Sequence, residues 1–202
     1  MPTKFMFREA GKYYPIDVWE FNIPAGYTCC GAGEDCKTIY DPKNRKYLMR
    51  GKEYVCYASL AERMPAVSTQ RHRNFQALLD GEPICPLPPG AEYVRIHGSG
   101  DFFSQKYFDM WLAYVKKYPD VIFWAFTKSI DFWVKRKNEI PDNFILIASK
   151  GGIHDNLIEE EFLRYAEVFD SIEEAEASGL PVDYDDSITF GTFENVALLK
   201  KA

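Results

Sequence analysis

From residue 17 onward, apolar runs of strand length alternate with segments of helical period, and this alternation limits the fold more than any single residue does. The strand candidates are residues 17–26, 92–98, 121–126 and 144–149, with weaker ones at 166–170 and 187–191. Between them lie helical segments. Ser68 is placed to cap one that Gly81 ends, and Tyr107, Trp111 and Val115 form an i, i+4, i+8 row beside Phe108 and Leu112 in a second, closed by Pro119. Shorter helical stretches are expected at 130–137, 155–165, 171–179 and 194–201. Six βα units imply a parallel sheet with right-handed crossovers. A complete eight-stranded barrel takes about 250 residues, so a chain of 202 residues is expected to form an α/β partial (βα)6 barrel of parallel strands in one domain.

In a parallel sheet, binding sites lie beyond the C-terminal ends of the strands. The segments expected there are "AGYTCCGAGEDC" after the first strand, "GSGDFFS" after the second, "TKS" after the third and "SKGG" after the fourth. Glycines, hydroxyls and charges therefore fall on one rim. In the second strand Val94 and Ile96 should face the helices, which turns Arg95 and His97 to the other side and makes them substrate-side candidates. Lys128 and Lys150 end strands three and four, where they could meet a carboxylate or phosphate.

Four of the five cysteines fall between Cys29 and Cys56, in a glycine-rich stretch where no strand or helix needs them. Net charge is −6 and no run approaches eighteen apolar residues. The opening "MPTKFMFREAGK" has no secretory pattern, so a cytoplasmic protein with no membrane partner is expected. Reduced thiols in that setting point to metal binding rather than bridges. Thiolates in a glycine loop suit an iron–sulfur cluster or zinc. Three on a four-iron cluster leave one iron open, whereas three on zinc would need His72, His97 or Cys85 as a fourth ligand. The charge is uneven: residues 1–73 hold 12 Lys and Arg against 8 Asp and Glu, and residues 74–202 hold 12 against 22. That balance argues against general nucleic-acid binding, while the patch Lys43, Arg45, Lys46, Arg50 and Lys52 could still meet an anion. The 16% aromatic content reads as core packing at helical spacing rather than as a base-stacking surface.

The string "NIPAGYTCCGAGEDC … VCYASLAERMPAVSTQRHRNF", followed by "VRIHGSGDFFSQKYFDMWLAYVKKYPDVIFWAFTKS", resembles the phage family called gene product 88 over about residues 19–129. That family opens like "PAG-TCPGA", then carries a further cysteine, "CYA", "P-V---R--N", "SGD--S--Y" and "P-V-F--YTK". The resemblance implies Cys29, Cys36 and Cys56 as metal ligands with Cys30 spare, and an inserted basic hairpin at about residues 37–55. The layout also resembles the radical S-adenosylmethionine (SAM) superfamily, whose compact Cys-x3-Cys-x2-Cys spacing this chain lacks. That second resemblance implies a [4Fe-4S] cluster and SAM. Gly98, Ser99, Gly100, Asp101, Thr127 and Ser149 are the implied cofactor-binding residues, and His97, Arg95 and Lys128 the catalytic candidates. It implies an enzyme acting on a small molecule, the substrate unassigned. A non-catalytic phage protein holding structural zinc or a structural cluster stands beside it.

Overall fold

A computed structural model describes residues 7–11, 14–51, 56–192 and 194–200. Strands with apolar side chains on both faces can lie only inside a sheet covered on both sides, and the central strands have that pattern. β2 (Val18–Phe21), β5 (Tyr93–Ile96), β6 (Ile122–Thr127), β7 (Phe144–Ser149), β8 (Tyr165–Phe169) and β9 (Val196–Leu199) run parallel in that order. β1 (Phe7–Glu9) adds an antiparallel edge. Among the described residues the sheet is open, with β1 and β9 at its two edges, and no closed ring forms.

Successive parallel neighbours require crossovers that return to the same side. One face packs against α2 (Pro65–Leu79), α3 (Gln105–Val115), α4 (Ile130–Val134) and α5 (Asn156–Glu160). Its core includes Phe21, Ile96, Phe108, Trp111 and Phe123. The stripe read from the sequence of α3 is buried throughout, and Ser104 caps that helix by accepting the Tyr107 N–H at 3.2 Å. On the other face Val18, Trp124, Ile147 and Val196 are covered by Tyr14, Ile16 and the Ile188 and Phe190 side chains of α7 (Ser187–Gly191).

Two expectations are corrected. Residues 187–191 form a helix, and the sixth strand is β9 within the stretch expected to be helical. A short apolar run such as "VALL" fits a helix or a buried strand equally by period, and here Val196 and Ala197 are buried in pairing with β8. Second, α2 starts at Pro65 rather than at Ser68. Proline suits the first helical position because its missing N–H would have no partner there. Gly81, at φ 80°, follows the end of this helix as read.

The expected hairpin is present as β3 (Ile39–Asp41) paired with β4 (Lys46–Met49). Residues 52–55 of that segment, Lys52 among them, lie outside the described residues. Remaining elements are α1 (Tyr57–Ala61), directly after Cys56, α6 (Ile172–Ala177) and a short 3-10 helix, Lys137–Glu139. Among the described residues no helix is long and apolar enough to cross a membrane.

Candidate metal centre

Beyond the C-terminal ends of β2, β5, β6 and β7 lies a cavity of about 130 Å³. Cys29, Cys36 and Cys56 all line it, together with Gly98–Asp101 of the loop after β5, Lys128 after β6 and Ser149 at the end of β7. The rim read from the sequence is thus one place in the fold.

Glycine makes the cysteine loop possible. A Cβ on Gly31 would stand 2.1 Å from the Lys128 carbonyl oxygen, so only a bare Cα lets the loop lie on the end of β6. The loop is then bonded to the segment after β7: Gly33 N–H donates to the Gly151 carbonyl at 3.0 Å and Ile153 N–H to the Gly31 carbonyl at 2.9 Å. Gly31→Ala should lower stability by about 2–3 kcal/mol through backbone displacement, read as a shift of the urea midpoint at unchanged slope.

From below, a buried pair fixes the other wall. Glu62 Oε1 accepts the Ala25 N–H at 2.7 Å and the Arg71 guanidinium at 3.2 Å, and Arg71 also donates to the Ala58 carbonyl at 2.6 Å. Asn74 donates to the Asn22 carbonyl at 3.0 Å. Arg71 and Asn74 are the polar letters of the "P-V---R--N" pattern, and their role is to clamp α1 and α2 to the chain leading into Cys29.

The three sulfurs are electrostatically linked. Cys56 shares a hydrogen bond with Cys36, and that bond, then burial, pushes the Cys56 thiol up strongly. Burial, followed by the Asp101 carboxylate, raises the Cys29 thiol to about 12. Cys29 Sγ accepts the Gly26 N–H at 3.3 Å. Adjacent thiols stay protonated because their thiolates would repel one another, and a bound cation reverses that preference. Among the described residues, no three His, Cys, Asp or Glu side chains converge tightly enough to hold a single metal ion. Cys30 turns away: its thiol donates to the Phe102 carbonyl at 3.3 Å and lies 3.5 Å from Ser129 Oγ. Cys85 packs against the helix-side core, and His72 lies 3.0 Å from the Ser68 carbonyl through Nδ1; neither lines the cavity.

Asp101 is buried and accepts from Thr127 Oγ1 at 2.6 Å, Phe102 N–H at 2.7 Å and Lys128 N–H at 2.8 Å. Burial outweighs these bonds and raises its carboxyl to about 6. Asp101 and Thr127 therefore join the second rim loop to the end of β6. Lys128 Nζ donates to the Ser149 carbonyl at 2.9 Å, to Ser149 Oγ at 2.8 Å and to the Lys150 carbonyl. Its ammonium closes the end of β7. Lys150 pairs with Glu167 at 2.9 Å.

Arg95 points to the face opposite the helices, as alternation requires, and meets Asp186 at 3.0 Å and Tyr14 Oη at 2.5 Å. Trp124 Nε1 donates to the same Asp186 oxygen at 3.1 Å. His97 departs from the expected side. At φ 67° it leaves strand geometry, and its ring swings to the helix side among Phe102, Tyr107 and Trp111, with Nε2 2.8 Å from Tyr107 Oη. It still lines the cavity. Burial lowers its pKa to about 3, so the ring is neutral at physiological pH. A histidine titrating lower when folded than when unfolded contributes stability that is complete above about pH 6.5 and is lost as pH falls towards 3. His97→Gln should flatten that part of the stability–pH curve, measured by urea unfolding from pH 7 to pH 4.

Tyr57 and Asp186 were not singled out from the sequence. Tyr57 Oη donates to the Gly98 carbonyl at 3.3 Å across the cavity mouth, and its place directly after Cys56 was the available signal. Asp186 carried none, being separated by ninety-one positions from Arg95.

No solved structure matches the chain. It is similar to the gene 88 protein of Mycobacterium phage L5, 30% identical over 112 residues, covering 47% of this chain and 47% of that protein. It is also similar to the gene 88 protein of Mycobacterium phage D29, 31% identical over 91 residues, covering 37% of this chain and 38% of that one. The matched stretches span less than half of either relative. The family model described as gene product 88 matches residues 4–202, nearly the whole chain, and the protein belongs to that phage family.

Proposed function

We propose that this phage protein holds an iron–sulfur centre, a [4Fe-4S] cluster, through Cys29, Cys36 and Cys56. The observation that carries the reading is the convergence of those three thiols on one cavity at the strand ends, with Cys30 turned elsewhere. The donor chemistry fits: thiolates are the usual cluster ligands, and the Gly26 N–H already donates to a sulfur. Donors too spread for a single ion still suit a cluster, whose corners stand apart.

The finer reading is a radical SAM-type enzyme of unassigned substrate on a partial (βα)6 barrel, acting in the host cytoplasm. Six parallel strands in sequential order support that layout. A cluster in such a site supplies one-electron reduction to a bound sulfonium. Gly98–Asp101 would seat the amino group of the cofactor, since Asp101 Oδ2 accepts one chain N–H and keeps a lone pair. A cavity of 130 Å³ holds little beyond an inorganic centre, and the adjoining groove of about 300 Å³, which shares Cys36 and Lys128, gives a larger ligand room. Electron paramagnetic resonance of reduced, reconstituted protein tests this step. A spectrum altered by SAM is expected; one unchanged by saturating SAM would leave the cluster and remove the enzyme assignment.

A second reading, a non-catalytic protein with structural zinc, rests on the hydrogen bond between Cys36 and Cys56, a closeness that suits two ligands of one ion. Neither Cys85 nor His72 lines the cavity, and although Tyr107 engages His97 Nε2, Nδ1 of that ring has no partner among the described residues, so zinc would need His97 as its fourth ligand.

A further inference from the structure

A second groove, of about 570 Å³, opens between the β3–β4 hairpin and the first turns of α2, and it shares no lining residue with the sulfur cavity. Lys43, Arg45 and Arg63 stand on its border, all exposed, and no described acidic side chain forms an ion pair with any of them. α2 is fifteen residues long and begins at this groove without a side-chain cap; Pro65 brings no N–H and the Ser68 N–H donates to the Met64 carbonyl at 3.0 Å, which leaves the N–H groups of Ala66 and Val67 for a ligand.

The groove is more than a basic surface. Glu62, 1% exposed, lines it; its Oε1 is taken by Ala25 and Arg71, and its Oε2 is buried with no partner among the described residues. A buried acceptor left unpaired costs free energy that a ligand N–H or O–H recovers. Tyr40, Pro42 and Pro65 give the groove apolar walls.

We propose that this groove binds a nucleoside phosphate, with the phosphate held by Lys43, Arg45 and Arg63 at the open end of α2 and the nucleoside donating a hydrogen bond to Glu62 Oε2. Phosphate is the anion that exposed cations and free helix N–H groups hold best. Phosphate alone would leave most of the volume empty and Glu62 unpaired. A base or ribose fills the apolar walls and brings the missing donor.

Isothermal titration with AMP, ATP and a 5′-phosphorylated trinucleotide is the test. Saturable binding with Kd below about 1 mM is expected for at least one of them. Arg63→Gln and Lys43→Gln should each weaken it about tenfold at unchanged thermal midpoint. Cys36→Ala should leave it unaltered, so this proposal and the metal centre fail separately. Tighter binding of the trinucleotide assigns the site to a nucleic-acid end, and tighter binding of AMP or ATP to a free nucleotide; both support it. No saturable binding, unchanged affinity in both charge variants, or inorganic phosphate binding as tightly as AMP would overturn it.

Discussion

Cys36→Ala, prepared without air and reconstituted with iron and sulfide, is expected to retain almost none of the about four irons and four sulfides per chain that the wild-type centre would carry. Cys36 is the middle member of the sulfur group, hydrogen-bonded to Cys56 and near enough to Cys29 to help raise its thiol. Removing it leaves two thiols, too few to anchor a cluster against loss to solvent. Cys30→Ala is the matched control. It sits beside Cys29, but its sulfur is engaged with the Phe102 carbonyl and Ser129, so its loss should leave iron and sulfide content at the wild-type level. Equal iron in the two variants would show that the ligand set is misassigned.

Asp186→Asn is expected to destabilise the fold by about 3 kcal/mol. Arg95 and Asp186 have side chains 9% and 5% exposed, and removing one partner of such a pair leaves an uncompensated buried charge, typically costing about 3–5 kcal/mol. Glu20, close enough for its own pKa to be lowered by Arg95, places the loss at the low end. Asparagine keeps the shape and accepts the left-handed backbone at φ 61°, so charge is what changes. The double variant Arg95→Met with Asp186→Asn should lose less than Asp186→Asn alone, because the stranded guanidinium is then absent. Chemical denaturation of the two proteins measures the difference.

How far the sequence reached follows from what each signal depends on. Five of the six parallel strands were legible because their apolar runs are bounded by turn residues, and the α3 stripe because its period is local. The last strand and α7 are not distinguishable by period, because β9 is only four residues long and α7 only five. At the site, the cysteine group and its rim were readable, since both are consequences of where loops fall in a parallel sheet. The side taken by His97 was not, because one residue with positive φ reverses the alternation on which the reading depended. Nor were the partners of Arg95, because Tyr14 and Asp186 come from distant segments that cover the second face of the sheet. The ties holding Lys128 and Asp101 were likewise out of reach: both are contacts between one strand end and the next, set by register.

The central claim is that three sulfurs above the sheet hold an iron–sulfur core, and metal and acid-labile sulfide analysis of wild-type protein purified without air tests it most directly. The account predicts iron and sulfide in equal amount, near four of each per chain. Zinc at about one per chain with no sulfide, or a folded chain carrying neither metal, would contradict it.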